Sequence, residues 1–85
     1  MNKNLRIYTS SLCGFCYRAK SLLNLKNIPY EEIDVDIDFE KRGEMVKKTN
    51  GKTSVPQIFY KNQHIGGCDD LFKLDKENGL EIFKK

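Results

Sequence analysis

The sequence predicts an α/β domain whose elements run β-α-β-α-β-β-α. Three observations carry this reading. Short apolar runs of strand type alternate with stretches of helical period. A helix-length segment separates the first two runs, which is the spacing of a right-handed parallel βαβ unit. Only Lys61 and Asn62 separate the third run from the fourth, which is a hairpin-length connection. With 85 residues there is chain for one core and no room for a second, so a single domain is expected over 1–85.

Taken in order, "LRIYTS" (5–10) is a β-type run that leads directly into "LCGFC". Phe15, Ala19, Leu22 and Leu23 then recur at i, i+4, i+7 and i+8, which defines one face of a helix. Pro29 disfavours helical geometry at Ile28, so that helix should end near Asn27. "YEEIDVDI" (30–37) alternates, with Ile33, Val35 and Ile37 on one side, and reads as the second strand. Residues 38–49 read as a helix with Asp38 as N-cap, weakened by Gly43. "GKTSVP" is a loop, and "QIFY" and "QHIGG" are the hairpin strands. "CDDLFKLDKENG" gives the last helix. Asp69 and Asp70 favour its first turn, Leu71 and Leu74 form its buried face, and Gly79 is its C-terminal stop. The chain holds no internal repeat, linker or low-complexity stretch.

Composition narrows the function classes. Fifteen Lys and Arg against twelve Asp and Glu leave a formal charge of +3. The positives are scattered, so no basic stripe points to nucleic acid. No apolar run approaches the roughly 20 residues of a membrane span. "MNKNLRIYTSS" lacks the apolar stretch of a signal peptide, and "IFKK" carries no lipidation motif. A cytoplasmic protein is expected, without nucleic-acid or membrane partners. Three cysteines, an odd number, argue against a disulfide-stapled secreted scaffold. In a reducing cytosol, a Cys-x-x-Cys pair is catalytic or metal-binding more often than structural.

The pair itself is Cys13 and Cys16, set between a strand and a helix, the context of a redox dithiol. Free N–H groups at a helix start, together with the positive end of its dipole, favour a thiolate over a thiol at Cys13. Arg18 and Lys20 add positive charge in the first turns. Cys16, one turn further in, is close enough to close a small disulfide ring and should be more buried. Cys13 is therefore the attacker and Cys16 the resolver. A zinc set of Cys13, Cys16, His64 and Cys68 can also be written. Structural zinc sites usually have two tight knuckles on loops, however, and here the first pair begins an amphipathic helix. No metal is expected. His64 reads as a half-exposed strand residue, and Cys68 as a small buried apolar one.

Two further segments bear on a ligand. In "TSVPQIFY", Pro56 forces Val55 into an extended conformation, with backbone groups free to pair with a peptide beside the thiolate. In "GGCDD", two glycines allow close approach of another backbone, and a helix start offers N–H groups to an anion. Asp70 could take an ammonium group there, and an α-amino-acid head carries both charges. The competing reading of this segment is ordinary N-capping by aspartate.

Together and in this order, "IYTSSLCGFCYRAKSLL", "TSVPQIFY" and "HIGGCDDLFKLD" resemble the glutaredoxins, most of all the small bacterial dithiol members. The resemblance covers nearly the whole chain. It implies a thioredoxin-like fold, with a four-stranded mixed sheet flanked by three helices and a cis Val55–Pro56 bond. It implies glutathione as co-substrate, in a groove formed by Phe15, Ser54, Val55, Pro56, Gly67, Cys68, Asp69 and Asp70. Val55 would pair with the cysteinyl part, and Asp69 and Asp70 would bind the γ-glutamyl head. It further implies a monomer that reduces glutathionylated or disulfide-containing proteins, ribonucleotide reductase among them.

The sequence departs from the family at three places. Cys-Gly-Phe-Cys replaces the usual Cys-Pro-Tyr-Cys, so Gly14 loses a ring whose fixed φ suits the first helical position. Phe15 lacks the tyrosine hydroxyl. Ser10 stands where many members carry a lysine for the glycyl carboxylate, a role open to Arg42 or another base. Gly14-Phe15 also resembles the Cys-Gly-Phe-Ser members, which share a [2Fe–2S] cluster between two protomers and two glutathiones. That gives the alternative function of cluster carrier, against which Cys16 argues because the carriers have serine there.

Overall fold

Strand β1 (Leu5–Thr9) is an inner strand whose side chains divide the interior in two. The computed structural model describes residues 4–84. Residues 1–3 and 85, which belong to the end segments read for targeting signals, lie outside the described residues. On one side of β1 lies β2 (Glu31–Asp34), parallel to it, with Arg6 opposite Glu31 and Thr9 opposite Asp34. On the other lies β3 (Gln57–Tyr60), antiparallel, with Leu5 opposite Tyr60. Strand β4 (Gln63–Gly66) returns beside β3, which gives the mixed order β2-β1-β3-β4.

Alternation along the strands sorts the helices. Leu5 and Ile7 of β1 and Ile58 of β3 pack with Ala19, Leu22 and Leu23 of α1 (Gly14–Leu25) and Leu71 of α3 (Cys68–Lys76). Tyr8 and Phe59 face the other way and pack with Met45 of α2 (Phe39–Lys48). Truncating Leu23, which is fully buried in the first cluster, to alanine should cost about 2–5 kcal/mol. Asp38 caps α2 as expected and accepts from the amides of Glu40 and Lys41. Asn27, with φ of 59°, takes the left-handed position just after α1.

Four expectations need correction. Strand β2 stops at Asp34 instead of running to Ile37, because the Asp34 carboxylate accepts from the amides of Asp36 and Ile37 and turns the chain. Ile37 is consequently 83% exposed. Phe15 does not join the α1 core face; Cys16 occupies it, and Phe15 is 56% exposed. The stop after α3 is Asn78, at φ 59°, and not Gly79. Gly79 instead opens a short 3₁₀ helix (Gly79–Lys84) that the pattern did not announce, and this helix adds Leu80 and Phe83 to the core. A side chain at Gly79 would press on Leu74, which explains the glycine.

Candidate active site

The chain leaves β1 at Thr9 and reaches the N-terminus of α1 through Ser10, Ser11 and Leu12. That loop is tied to the turn after β2. Asp36 accepts from the Ser10 hydroxyl at 2.5 Å and the Ser11 amide at 3.1 Å, and Arg42 binds its other oxygen at 3.2 Å. Cys13 is the N-cap of α1, with extended backbone, and its sulfur accepts from the Cys16 amide at 3.1 Å. An N-cap acceptor satisfies one of the free amides of the first turn. Here the acceptor is sulfur, so the helix start directs a donor at the atom that would carry thiolate charge. On its other side, Cys13 Sγ donates to the Val55 carbonyl at 3.6 Å. The Val55–Pro56 bond is cis.

Cys16 is 1% exposed. Burial, followed by its hydrogen bond with Cys13, pushes its thiol up to about 12. The two sulfurs thus differ in kind: Cys13 is partly open to solvent, whereas Cys16 is buried and protonated at neutral pH. The two bases expected beside Cys13 face elsewhere. Lys20 pairs with Glu32 at 2.9 Å, and the Arg18 guanidinium lies over the Phe72 ring at 5.4 Å. Their charges still act on Cys16 and Cys68 respectively, and the helix start adds its own positive potential at Cys13.

A groove of about 310 Å³ opens beside Cys13, and all eight residues named for a ligand line it. Phe15 projects from α1, Ser54 to Pro56 form one wall, and Gly67 to Asp70 at the start of α3 form another. The Asp70 carboxylate accepts from the Gly67 amide at 3.0 Å. Gly66 has φ of +131°, and a Cβ there would overlap that carboxylate, so only glycine allows Asp70 this position. Cys68 is buried in the main core, and burial pushes its thiol up as well.

Sequence reasoning missed two lining residues, Lys52 and Gln57, while Gly66, the first glycine of "GGCDD", lines the groove as well. Gln57 is 4% exposed. Its amide donates to the Ser54 carbonyl at 3.0 Å and to the Ser54 hydroxyl at 3.3 Å. Its oxygen meets His64 Nε2 at 2.7 Å, and the imidazole stacks on Phe59. His64 thereby holds the wall from the sheet side, and burial lowers its pKa. Among the described residues, no three His, Cys, Asp or Glu side chains converge in a way that could hold a metal ion. Arg42, considered for the role left by Ser10, is engaged with Asp36. The cation that lines the groove is Lys52. Its signal in the sequence was only its place two residues before Ser54.

Comparison with known proteins agrees with this geometry. The glutaredoxin family profile matches residues 5–65. The chain is 50% identical to Glutaredoxin 3 of Escherichia coli over 82 residues, which cover 96% of this chain and 98% of that one. The solution structure of glutaredoxin from Brucella melitensis superposes with a TM-score of 0.81 at 40% identity, covering 95% of this chain and 88% of the other. The crystal structure of a buckwheat glutaredoxin–glutathione complex gives a TM-score of 0.84 at 25% identity, covering 95% and 76%. The architecture is the thioredoxin-like fold. The profile match and the 50% identity over nearly the whole of both chains show that this chain belongs to the glutaredoxin family, the thiol–disulfide oxidoreductases that work with glutathione.

Proposed function

We propose that this enzyme works as a single-domain cytoplasmic monomer in which Cys13 and Cys16 form and break a redox-active disulfide. Glutathione lies in the groove lined by Phe15, Ser54 to Pro56 and Gly67 to Asp70. The substrates are glutathionylated and disulfide-containing proteins, and ribonucleotide reductase is a candidate from the family resemblance. The observation that carries this reading is the placement of Cys13 Sγ between the Cys16 amide and the Val55 carbonyl.

In the first step, the Cys13 thiolate attacks the glutathione sulfur of a mixed disulfide. A Cys13–glutathione disulfide forms, and the target leaves as its thiolate. Once Cys13 has lost its proton, the Val55 carbonyl no longer receives its S–H and is free to accept the cysteinyl amide of glutathione. A second glutathione thiolate then attacks that glutathione sulfur, releases oxidised glutathione and restores Cys13. In the dithiol route, Cys16 attacks Cys13 instead. The Cys13–Cys16 disulfide forms, and the thiol proton of Cys16 passes to the departing glutathione. Its raised pKa keeps Cys16 from competing in the first step. Asp70 and Asp69 would face the ammonium of the γ-glutamyl head, and Lys52 a carboxylate.

The cluster-carrier alternative rests on Gly14-Phe15 and is not favoured, because Cys16 supplies the second thiol that the dithiol route needs. Reduction of a glutathionylated peptide, coupled to glutathione and its reductase, tests the proposal. Turnover that survives alkylation of Cys13 would overturn it. An absorption spectrum of protein prepared without oxygen tests the carrier.

A further inference from the structure

Leu12, Ile37 and Phe39 are 99%, 83% and 84% exposed. Single exposed apolar residues are ordinary on a soluble domain. Leu12 is on the loop before α1, Ile37 on the turn after β2 and Phe39 at the first position of α2; Asp36 ties these segments together through Ser10, Ser11 and Arg42, and Leu12 immediately precedes Cys13. The early end of β2 at Asp34 is what turns Ile37 outward. The segment that carries Ile37 and Phe39 is acidic. Residues 31–40 contain six carboxylates and no base in a chain of net charge +3. Glu31, Glu32 and Asp36 pair with Arg6, Lys20 and Arg42. Asp34 and Asp38 are spent on backbone amides, and with Glu40 they have no basic partner among the described residues. The result is an apolar tip with an acidic rim, held in place beside the reactive sulfur.

We propose that this tip docks the protein half of the substrate, selecting targets whose reactive cysteine is flanked by an apolar side chain and by lysine or arginine. The inference rests on the functional reading above, in which glutathione takes the groove and the target chain must leave Cys13 by another side. Apolar contact supplies affinity at the tip, and the rim supplies orientation and salt-sensitive attraction. A tip already held by Asp36 loses little freedom on binding.

The test uses the full chain and two glutathionylated peptides of equal length. One has leucine and lysine around its cysteine, and the other has serine and glutamate. The mixed disulfide of cysteine and glutathione is the probe without flanks. The wild type should prefer the first peptide about tenfold in kcat/KM, the scale of one good interface contact, and less so at high salt. Ile37→Ser combined with Phe39→Ser should cut the preference down to its salt-sensitive part, so that the two peptides come near parity at high salt, and leave the small disulfide unchanged. Parity in the wild type, or an undiminished preference in the double variant at high salt, overturns the docking surface while brisk turnover of the small disulfide keeps the functional reading. No turnover of the small disulfide would overturn that reading and the docking surface with it. A concentration-dependent dimer that the double variant abolishes would assign the tip to a second copy and overturn the proposal.

Discussion

The Cys16 amide donates to the Cys13 sulfur across 3.1 Å while the Cys16 thiol itself is buried beneath it. One turn of helix therefore points a donor at the first sulfur, while burial keeps the second protonated. Cys13→Ser should abolish all thiol–disulfide exchange, because Cys68, the remaining thiol besides Cys16, is buried in the core. Cys16→Ser should keep much of the deglutathionylation, since external glutathione can clear Cys13, but lose reduction of protein disulfides. Paired assays on a glutathionylated peptide and on a protein disulfide check both expectations. Activity in Cys13→Ser would reverse the assignment of attacker and resolver.

Gly66 and Asp70 form a second coupled pair. Alanine at position 66 must adopt φ of +131° and must also displace the carboxylate from the Gly67 amide. Gly66→Ala should therefore cost about 1–3 kcal/mol of stability, and it should raise the KM for glutathionylated substrates. Part of the penalty should vanish when Asp70 is already alanine, because the overlap with the carboxylate is then gone and only the contact with the Cβ of residue 70, at 2.8 Å, stays. A double-mutant cycle on urea midpoints measures that coupling. Strict additivity would mean that the carboxylate contributes nothing to the penalty.

What was legible in the sequence was local. The dithiol's place between strand and helix, the Asp38 cap, and the strand "QIFY" with the turn after it could be read residue by residue. Ile37 was misread because alternation counts apolar residues and does not see a neighbouring Asp34 taking the amides that would extend the strand. Phe15 and Cys16 are adjacent, and helical arithmetic started from the larger side chain placed the wrong one inward. Gln57 looked like an ordinary polar strand residue. Its role follows from His64 on the neighbouring strand and Ser54 before the proline, a meeting set by the β3–β4 register. Lys52 belongs to a groove assembled from segments far apart in the chain, which no single motif announces.

Tyr8 offers a test of buried electrostatics. Its phenol is fully buried and donates to Glu44 at 2.5 Å, with Lys41 and Lys48 beside the carboxylate. That hydrogen bond, above all, holds the Glu44 carboxyl below the usual range, and burial followed by Glu44 pushes the Tyr8 phenol up. A depressed folded pKa means that the Glu44 contribution is present above its unfolded value of about 4.3 and is lost as pH falls through the folded value. A raised one means that the Tyr8 contribution is present below about 10 and is lost as pH rises further. At neutral pH, Tyr8→Phe should cost about 1–2 kcal/mol, at the low end for a charged partner because Glu44 is partly solvated. The cost should shrink in acid. Urea unfolding of both proteins at neutral pH and near pH 3 checks this, and an equal difference at both would mean that the charge on Glu44 contributes nothing.

Asp70 must serve two masters if the groove binds glutathione. Its Oδ2 caps α3 by accepting from the Gly67 amide, and its other oxygen has no hydrogen bond among the described residues. An ionised carboxylate can accept at both oxygens, so capping and ammonium binding are compatible. Asp70→Ala removes both functions. A charge-assisted hydrogen bond is worth about 1.5–3 kcal/mol, and solvent exposure at position 70 brings this to the low end, or about tenfold in apparent affinity. Loss of the cap and of the favourable charge at the helix start should lower stability by about 1 kcal/mol, so a melting curve must accompany the kinetics. Asp70→Asn separates the two roles, because its amide oxygen can still cap while its charge is gone. The deciding quantity is the ratio of two rates: turnover of a glutathionylated peptide, and single-turnover reduction of a small disulfide that contains no glutathione. A loss confined to the former in both variants places the γ-glutamyl head at Asp70. Equal losses on both, or an Asn variant that behaves as wild type, would leave the Gly67–Asp70 contact as a helix cap alone.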